Sequence, residues 1–457
     1  MNKDKFEEYI NYALSSGADF AELYYEESSN YIYSLIDSKI DSIDTSNSKG
    51  LGIRINKNDE YFYTCTNILT DENIKKIIKK LILNVKEKSE RKICLNNLVD
   101  KTRKINKSHD LFPIEEKKSL LYKIDKIARN ESELVSQVMA GIQEMDKKFT
   151  IANSDGKYIK SNNLWTRIMA TVFVERDNKI ERETTNVASS SGYELIDKFD
   201  VENEIKKITN TAVKKLDSIN FKGGEMPVVL CPGFGAVIFH EACGHGLEAT
   251  SVAPHISVFS DDFRKVIASE KVTLIDDGTI KDSWGSFVID DEGNESHKNI
   301  LIKDGKLESY LVDQFHSKMM NMKSNGCGRR NSYKYATTSR MSNTYLAPRD
   351  DKIEDMIKSI DYGVYCESMS GGSVNPATGD FNFSVETARL IENGELKNYL
   401  SGISLIGNSK DILKNVEMVG DDLKLEAGFC GSISGSIPVT IGQPTIKVSK
   451  ILVGGME

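Results

Sequence analysis

Between residues 4 and 16 the apolar side chains Phe6, Tyr9, Ile10, Ala13 and Leu14 recur at helical spacing, and Gly17 follows as a stop. That stripe predicts an amphipathic helix. The pattern then changes to alternating segments rich in Tyr, Ile and Phe at 19–27, 31–44 and 51–66, which predict antiparallel strands. A Lys-rich stretch at about 71–90 returns to helical spacing. The same grammar repeats further along. A helix is expected at 114–129, strands at 133–143, 147–161 and 165–175 with Asp155-Gly156 as a turn, and a helix at 201–216. Between the two units the polar, basic stretch 96–112 carries Lys101, Arg103, Lys104 and Lys107 and reads as a solvated linker or exposed crossing.

Gly223-Gly224 marks a second boundary. Beyond it Pro227–Cys231 is a short apolar strand, Pro232-Gly233 turns into a helix over about 234–248, and the remainder is mostly β and Gly-rich, interrupted by a helix at about 352–360. Two hairpins echo one another, Leu301 to Leu311 around Asp304-Gly305 and Leu390 to Leu400 around Asn393-Gly394. Their flanks differ, which favours two hairpins converging on one solution. The fold class expected is α+β. An N-terminal αβ domain (1–100) and a central αβ domain (101–222), both with antiparallel sheets, precede a β-rich C-terminal domain (223–457) that carries the helix at 234–248.

Composition adds exclusions. Hydrophobic residues make up 39% and charged residues 28%, an ordinary globular balance. Lys and Arg number 60 against 68 Asp and Glu, a net charge of −8, which gives no reason to expect nucleic-acid contact. The first residues, Met1 to Glu8, have no apolar run, so no signal peptide is expected. The most apolar stretch, Pro227 to Leu247, contains His240, Glu241 and His245 and is therefore not read as a membrane span. The seven cysteines are odd in number and dispersed, which fits a reducing cytoplasm better than a disulfide framework.

The candidate chemistry lies in His240-Glu241-Ala242-Cys243-Gly244-His245-Gly246-Leu247-Glu248. In zinc peptidases a helix commonly carries two histidines four residues apart, with a glutamate after the first. Here the step is five, and an α-helix would leave the two imidazoles about 140° apart. One local turn with i→i+5 bonding returns both to one side. Gly244 and Gly246 would let the backbone deform there. A bulged or broken helix is therefore expected at 242–246. A catalytic zinc site takes three protein ligands and keeps one position for water. Glu248, His255, Cys243 and Cys430 are the candidates for the third ligand, Glu248 alternatively orienting a ligand and Cys243 facing away. Arg329-Arg330 could meet a substrate carboxylate or be an exposed charged pair. Gly371-Gly372-Ser373-Val374-Asn375 could offer backbone to an extended peptide or be a turn.

The motif at 240–248 resembles that of the TldD/PmbA peptidase family, on its TldD side. Met418 to Leu425, Cys430-Gly431, Val439 to Gly455 with Gly442-Gln443-Pro444-Thr445, Gly326 to Arg330 and Ile289 to Gly293 are similar to that family as well. The resemblance spans the chain and is most specific after residue 220. It implies a cytoplasmic metallopeptidase acting on short or unfolded peptides, with Zn2+ held by His240, His245 and Cys430 and Glu241 as the base. It also implies a homodimer, or a heterodimer with a PmbA (TldE)-type paralogue that lacks the motif. Two other classes stay open: a non-catalytic partner subunit, and a protein-binding regulator of the kind called a modulator of DNA gyrase.

Overall fold

The computed structural model of the chain describes residues 1–58, 60–83, 85 and 89–455. The first apolar stripe folds as the helix Lys3–Leu14, started by the Asn2 side chain, which accepts from the Lys5 N–H. Helices Ile114–Glu131, Val201–Lys215 and Ile353–Lys358 fall where the periodicity puts them. The Lys-rich helix is Asp71–Ile82 and ends sooner than expected. Residues 84 and 86–88 of the predicted stretch lie outside the described residues.

The strands are longer than their hydrophobic runs. Phe20–Ile36 and Lys39–Lys57 form one long hairpin. The polar Ser28-Ser29-Asn30, expected as a break, is paired on both sides, Ser28 with Ser48 and with Lys147. A strand between two neighbours satisfies its backbone whatever its side chains are. The turn instead falls at Asp37-Ser38, inside the expected strand 31–44. Both residues take positive φ, 47° and 62°, as a two-residue turn matched to strand twist requires. The Asp37 carboxylate accepts from the Val138 N–H and from Arg129. Likewise Val135–Asn153 and Tyr158–Arg176 replace three shorter expected strands and meet at the Asp155-Gly156 turn. Lys179–Ser189 is a strand whose polar sequence gave no signal.

These strands share one seven-stranded sheet, because Phe20–Ile36 pairs with Val135–Asn153. Alternation sends Ala21 and Leu23 towards the N-terminal helices. Glu22, Tyr24 and Glu26 go to the opposite face, where the C-terminal half docks. There Arg330 bonds Glu22 at 2.9 Å and lies 4.3 Å from the Tyr24 ring centre. Arg54 bridges Glu22 and Glu292 at 3.1 and 2.8 Å, and Lys147 meets Asp291 at 3.3 Å. This overturns the reading of Arg329-Arg330 as a carboxylate receptor. Both are buried, and Arg329 donates to the carbonyl oxygens of Met341 and Pro438.

The C-terminal half holds a six-stranded and an eight-stranded sheet. In the second, Tyr362–Val374 pairs with both Gly224–Leu230 and Asp380–Glu392, which closes a ring through Ile446–Gly454 and Ser404–Asn408. Residues 371–374, offered above as a turn, are strand. Both echoed hairpins form, with Asp304-Gly305 and Asn393-Gly394 at positive φ.

The basic stretch 96–112 is pinned to the sheet. Val99–Asp100 adds a parallel pairing to Tyr158–Arg176, Arg103 donates to Ser190, and His109 Nε2 lies 2.9 Å from Thr166 Oγ1. Burial, with Lys117 beside it, lowers the His109 pKa to about 4. The unfolded chain binds this proton below about pH 6.5 while the folded chain stays neutral. The stability His109 contributes is therefore complete above about 6.5 and is lost as pH falls towards 4. About 3 kcal/mol is at stake. His109→Phe, which keeps a ring against Tyr193, is expected to flatten the pH dependence of Tm across that window. An unchanged slope would remove His109 as its source.

Candidate metal site

The expected helix at 234–248 is broken into four short turns. Phe234–Ala236 is 3-10, Val237–Phe239 is α, His240–Gly244 is π, and His245–Leu247 is 3-10. The His245 N–H donates to the His240 carbonyl, five residues back. This is the bulge that the five-residue spacing demands, and it brings the two imidazoles edge to face with ring centres 5.3 Å apart.

The glycines act otherwise than expected. Gly244 keeps ordinary helical angles, φ −54° and ψ −54°. Its role is close approach, since a β-carbon there would stand 2.0 Å from the Met341 Sδ. A β-carbon on Gly246 would stand 2.7 Å from the Phe259 ring.

The start of the turn is held by the strand Lys424–Cys430. Glu426 accepts from the Phe234 N–H at 3.2 Å, and Gly233, at φ 79°, lets the carboxylate come close. Four residues on, and so on the same face of the strand, stands Cys430. Its Sγ lies 3.2 Å from His245 Nε2. One donor atom from each of His240, His245 and Cys430 lies within 4.8 Å of the others, and no other such trio occurs among the described residues. The ligands of a tetrahedral zinc ion stand about 3.5 Å apart, so this donor set fits one.

The remaining candidates separate cleanly. His255 is on an exposed turn beside Asp261. Cys243 is buried in the apolar core, which pushes its thiol pKa up. Glu248 meets the other nitrogen of His245, Oε2 to Nδ1 at 3.1 Å, the contact that orients a ligating imidazole. Glu241 is the open member. Its side chain is 23% exposed, and Oε2 lies 3.7 Å from His245 Nε2.

Burial raises the Cys430 thiol, but His240 and His245 outweigh it and hold its pKa well below the usual thiol range. Burial likewise lowers His245, and Glu248 and Cys430 outweigh it to raise the imidazole well above its usual value. Glu426, Arg340 and Met341 drew no notice in the sequence. Their contacts join segments far apart in the chain, and no local pattern marks them.

Three sequence profiles match the chain. They describe PmbA/TldA metallopeptidase domain 1 over residues 21–85, the central domain over 108–217 and the C-terminal domain over 223–455. The chain belongs to the PmbA/TldD metallopeptidase family. A metalloprotease TldD homolog of Buchnera aphidicola subsp. Acyrthosiphon pisum is 33% identical over 448 residues, 96% of this chain and 93% of that one. A zinc metalloprotease TldD homolog of Saccharolobus solfataricus is 27% identical over 453 residues, 98% and 99% of the two. Among solved structures, TldE from Thermococcus kodakarensis superposes with a TM-score of 0.77 at 20% identity, covering 98% of this chain and 99% of its own. A Thermotoga maritima protein proposed to modulate a DNA gyrase gives 0.79 at 17%, covering 99% and 100%. These two likenesses are of fold alone.

In this PmbA/TldD metallopeptidase the π turn has no room for a side chain at residue 244. Gly244→Ala is expected to cost about 1–3 kcal/mol through overpacking against Met341. It should show as a lower Tm together with weaker metal binding. An unaltered Tm would mean that the turn is not pressed against Met341.

Proposed function

We propose that this metallopeptidase is a zinc-dependent hydrolase of peptide bonds in short or unfolded peptides, with His240, His245 and Cys430 as the metal ligands and Glu241 as the catalytic base. The observation that carries the reading is the convergence of three donors from two segments 185 residues apart, with a partly open carboxylate beside them. Two imidazoles and a thiolate suit zinc. Bound there, zinc would supply Lewis acidity towards a scissile carbonyl and bring the pKa of its water towards neutrality.

The chain's own groups divide the remaining work. Glu248 holds the His245 ring through Nδ1 and leaves Nε2 facing the sulfur. Cys430, as a thiolate ligand, would contribute a negative charge that neither imidazole can, and so moderate the electrophilicity of the site. Glu241 can accept a proton from the attacking water and pass it to the departing amine.

Further parts of the reading rest on the family. The chain works as a homodimer or with a TldE-type paralogue. It is cytoplasmic, and among the described residues no helix is long and apolar enough to cross a membrane. It divides near residues 100 and 222, a division supported by the gaps between the matched profiles.

Digestion of casein or an unstructured peptide tests the proposal, with the TldE-type partner supplied. Glu241→Gln is expected to lower the rate about 10²–10⁴-fold at unchanged zinc content. Cys430→Ser is expected to lose the metal. A non-catalytic subunit or a gyrase regulator would be indifferent to Glu241→Gln. Failure of the zinc-loaded protein to cleave would end the hydrolase reading.

A further inference from the structure

Beside the donor set, between the Cys430 backbone and the Glu248 carboxylate, lies the Arg340 guanidinium, wholly buried. Its Nη2 donates to the Cys430 carbonyl at 2.5 Å, and Nη1 donates to Ser434 Oγ at 2.8 Å and to the Gly435 carbonyl at 2.9 Å. One planar group thus holds both ends of the loop that leaves Cys430. Its remaining nitrogen, Nε, has no hydrogen-bond partner and stands 3.8 Å from Glu248 Oε1, which has none either. The other oxygen of that carboxylate is the one that meets His245. The Arg340 backbone is itself anchored. Its N–H donates to the Cys327 carbonyl at 2.9 Å, and the preceding Ser339 hydroxyl lies 2.8 Å from Thr250 Oγ1, just beyond the end of the motif.

A guanidinium keeps its charge in any protein interior, and burying it is unfavourable unless its donors and its charge are used. Here the donors on one edge serve the cysteine strand, and the charge faces the carboxylate that orients a histidine. We propose that Arg340 is a positioning residue of the metal site, its fork tying the Cys430 loop to the Glu248 carboxylate so that thiolate and imidazole are presented together to one ion. This rests on the metal-site reading above. The guanidinium fork matters because a lysine ammonium, a point charge, cannot span the carbonyl of 430, the hydroxyl of 434 and the carboxylate of 248 at once.

The test uses the full chain as wild type, Arg340→Lys, Glu248→Gln and the double variant. Zinc affinity is read by chelator competition, and the thiolate-to-metal band by substitution with Co2+. Arg340→Lys is expected to weaken zinc about 10- to 100-fold and to shift or weaken the cobalt band in the protein that remains folded. Glu248→Gln should do the same. The double variant should be little worse than either single one, because both break one connection. A merely structural arginine would lower Tm and leave the cobalt band of the folded protein unmoved. If Arg340→Lys does not fold, Ser434→Ala carries the decision: it removes one anchor of the guanidinium on the Cys430 loop without touching a donor residue, and an unmoved cobalt band in that folded variant would overturn the role. Variants that fold and bind both metals like wild type would overturn the role of Arg340 alone. A wild type that binds neither metal would overturn the metal site itself, and the proposal with it.

Discussion

Five residues separate His240 from His245, and an α-helix would turn them away from each other. The single π turn at His240–Gly244 resolves that conflict, and much of the C-terminal half is arranged to hold it. Its approach is fixed by Glu426 on the Phe234 N–H. Its middle is pressed by Met341 against a backbone without a side chain. Its exit is fixed where the Ala249 N–H donates to the Leu311 carbonyl at 2.8 Å, beside the bridge between Glu248 and Leu311. A π turn has poorer hydrogen-bond geometry than the α-helix it interrupts, so it persists where packing leaves no alternative. The strand Lys424–Cys430 contributes twice, because residues four apart on a strand share a face. Glu426 holds the start of the turn, and Cys430 meets its end.

Burial then sorts the charged groups by task. His240, Cys430 and Glu248 are buried, His245 is nearly so, and Glu241 is the most open of the set. Against its own desolvation the Cys430 sulfur is pulled down by His240 and then His245, while the His245 ring is pushed up by Glu248 and then Cys430, so the two shift in opposite senses. A metal takes a cysteine as thiolate and a histidine as neutral imidazole, so metal uptake and proton release are linked. Glu241 has the reverse environment and lies on the side of the turn that the core does not cover, as the proposed role of base requires.

The sequence made the helices legible because amphipathic periodicity reports packing against one face, as in Lys3–Leu14 and Val201–Lys215. It blurred the strands because ladder pairing does not depend on polarity. Ser28 to Asn30 and Lys179–Ser189 are polar and fully paired. The motif was legible, and so was the need for a bulge, since that follows from helical geometry alone. Cys430 was one candidate of four on the residues and became distinct only through family resemblance, because the contact that brings it to the motif joins segments 185 residues apart. Gly244 was noticed for the wrong property. Glycine marks freedom of φ and also absence of bulk, and a sequence cannot say which is in use. Arg329 and Arg330 looked like surface charge because their counter-charges are supplied by other segments of the chain, Glu22 among them.

Those counter-charges bear on why the site is built with two further αβ units in front of it. Arg330 is paired with Glu22 and also donates to the Asp291 carbonyl, and Arg54 is paired with Glu22 and Glu292, all with almost no solvent. Breaking a buried pair by removing one partner costs roughly 3–5 kcal/mol, because the other charge is left uncompensated. The C-terminal half therefore carries charges that the N-terminal sheet neutralises, and the two are mutually dependent. The contact is also continuous with the metal site. Arg329, next to Arg330, lies on the short pairing of Gly328–Arg329 with Thr338–Ser339, which runs directly into Arg340 and Met341. Arg329 donates to the Met341 carbonyl, and Met341 packs on the π turn. The hairpin that docks the sheet is thus the hairpin that presses the turn, so the geometry of the donors depends on the seating of residues more than two hundred positions earlier in the chain.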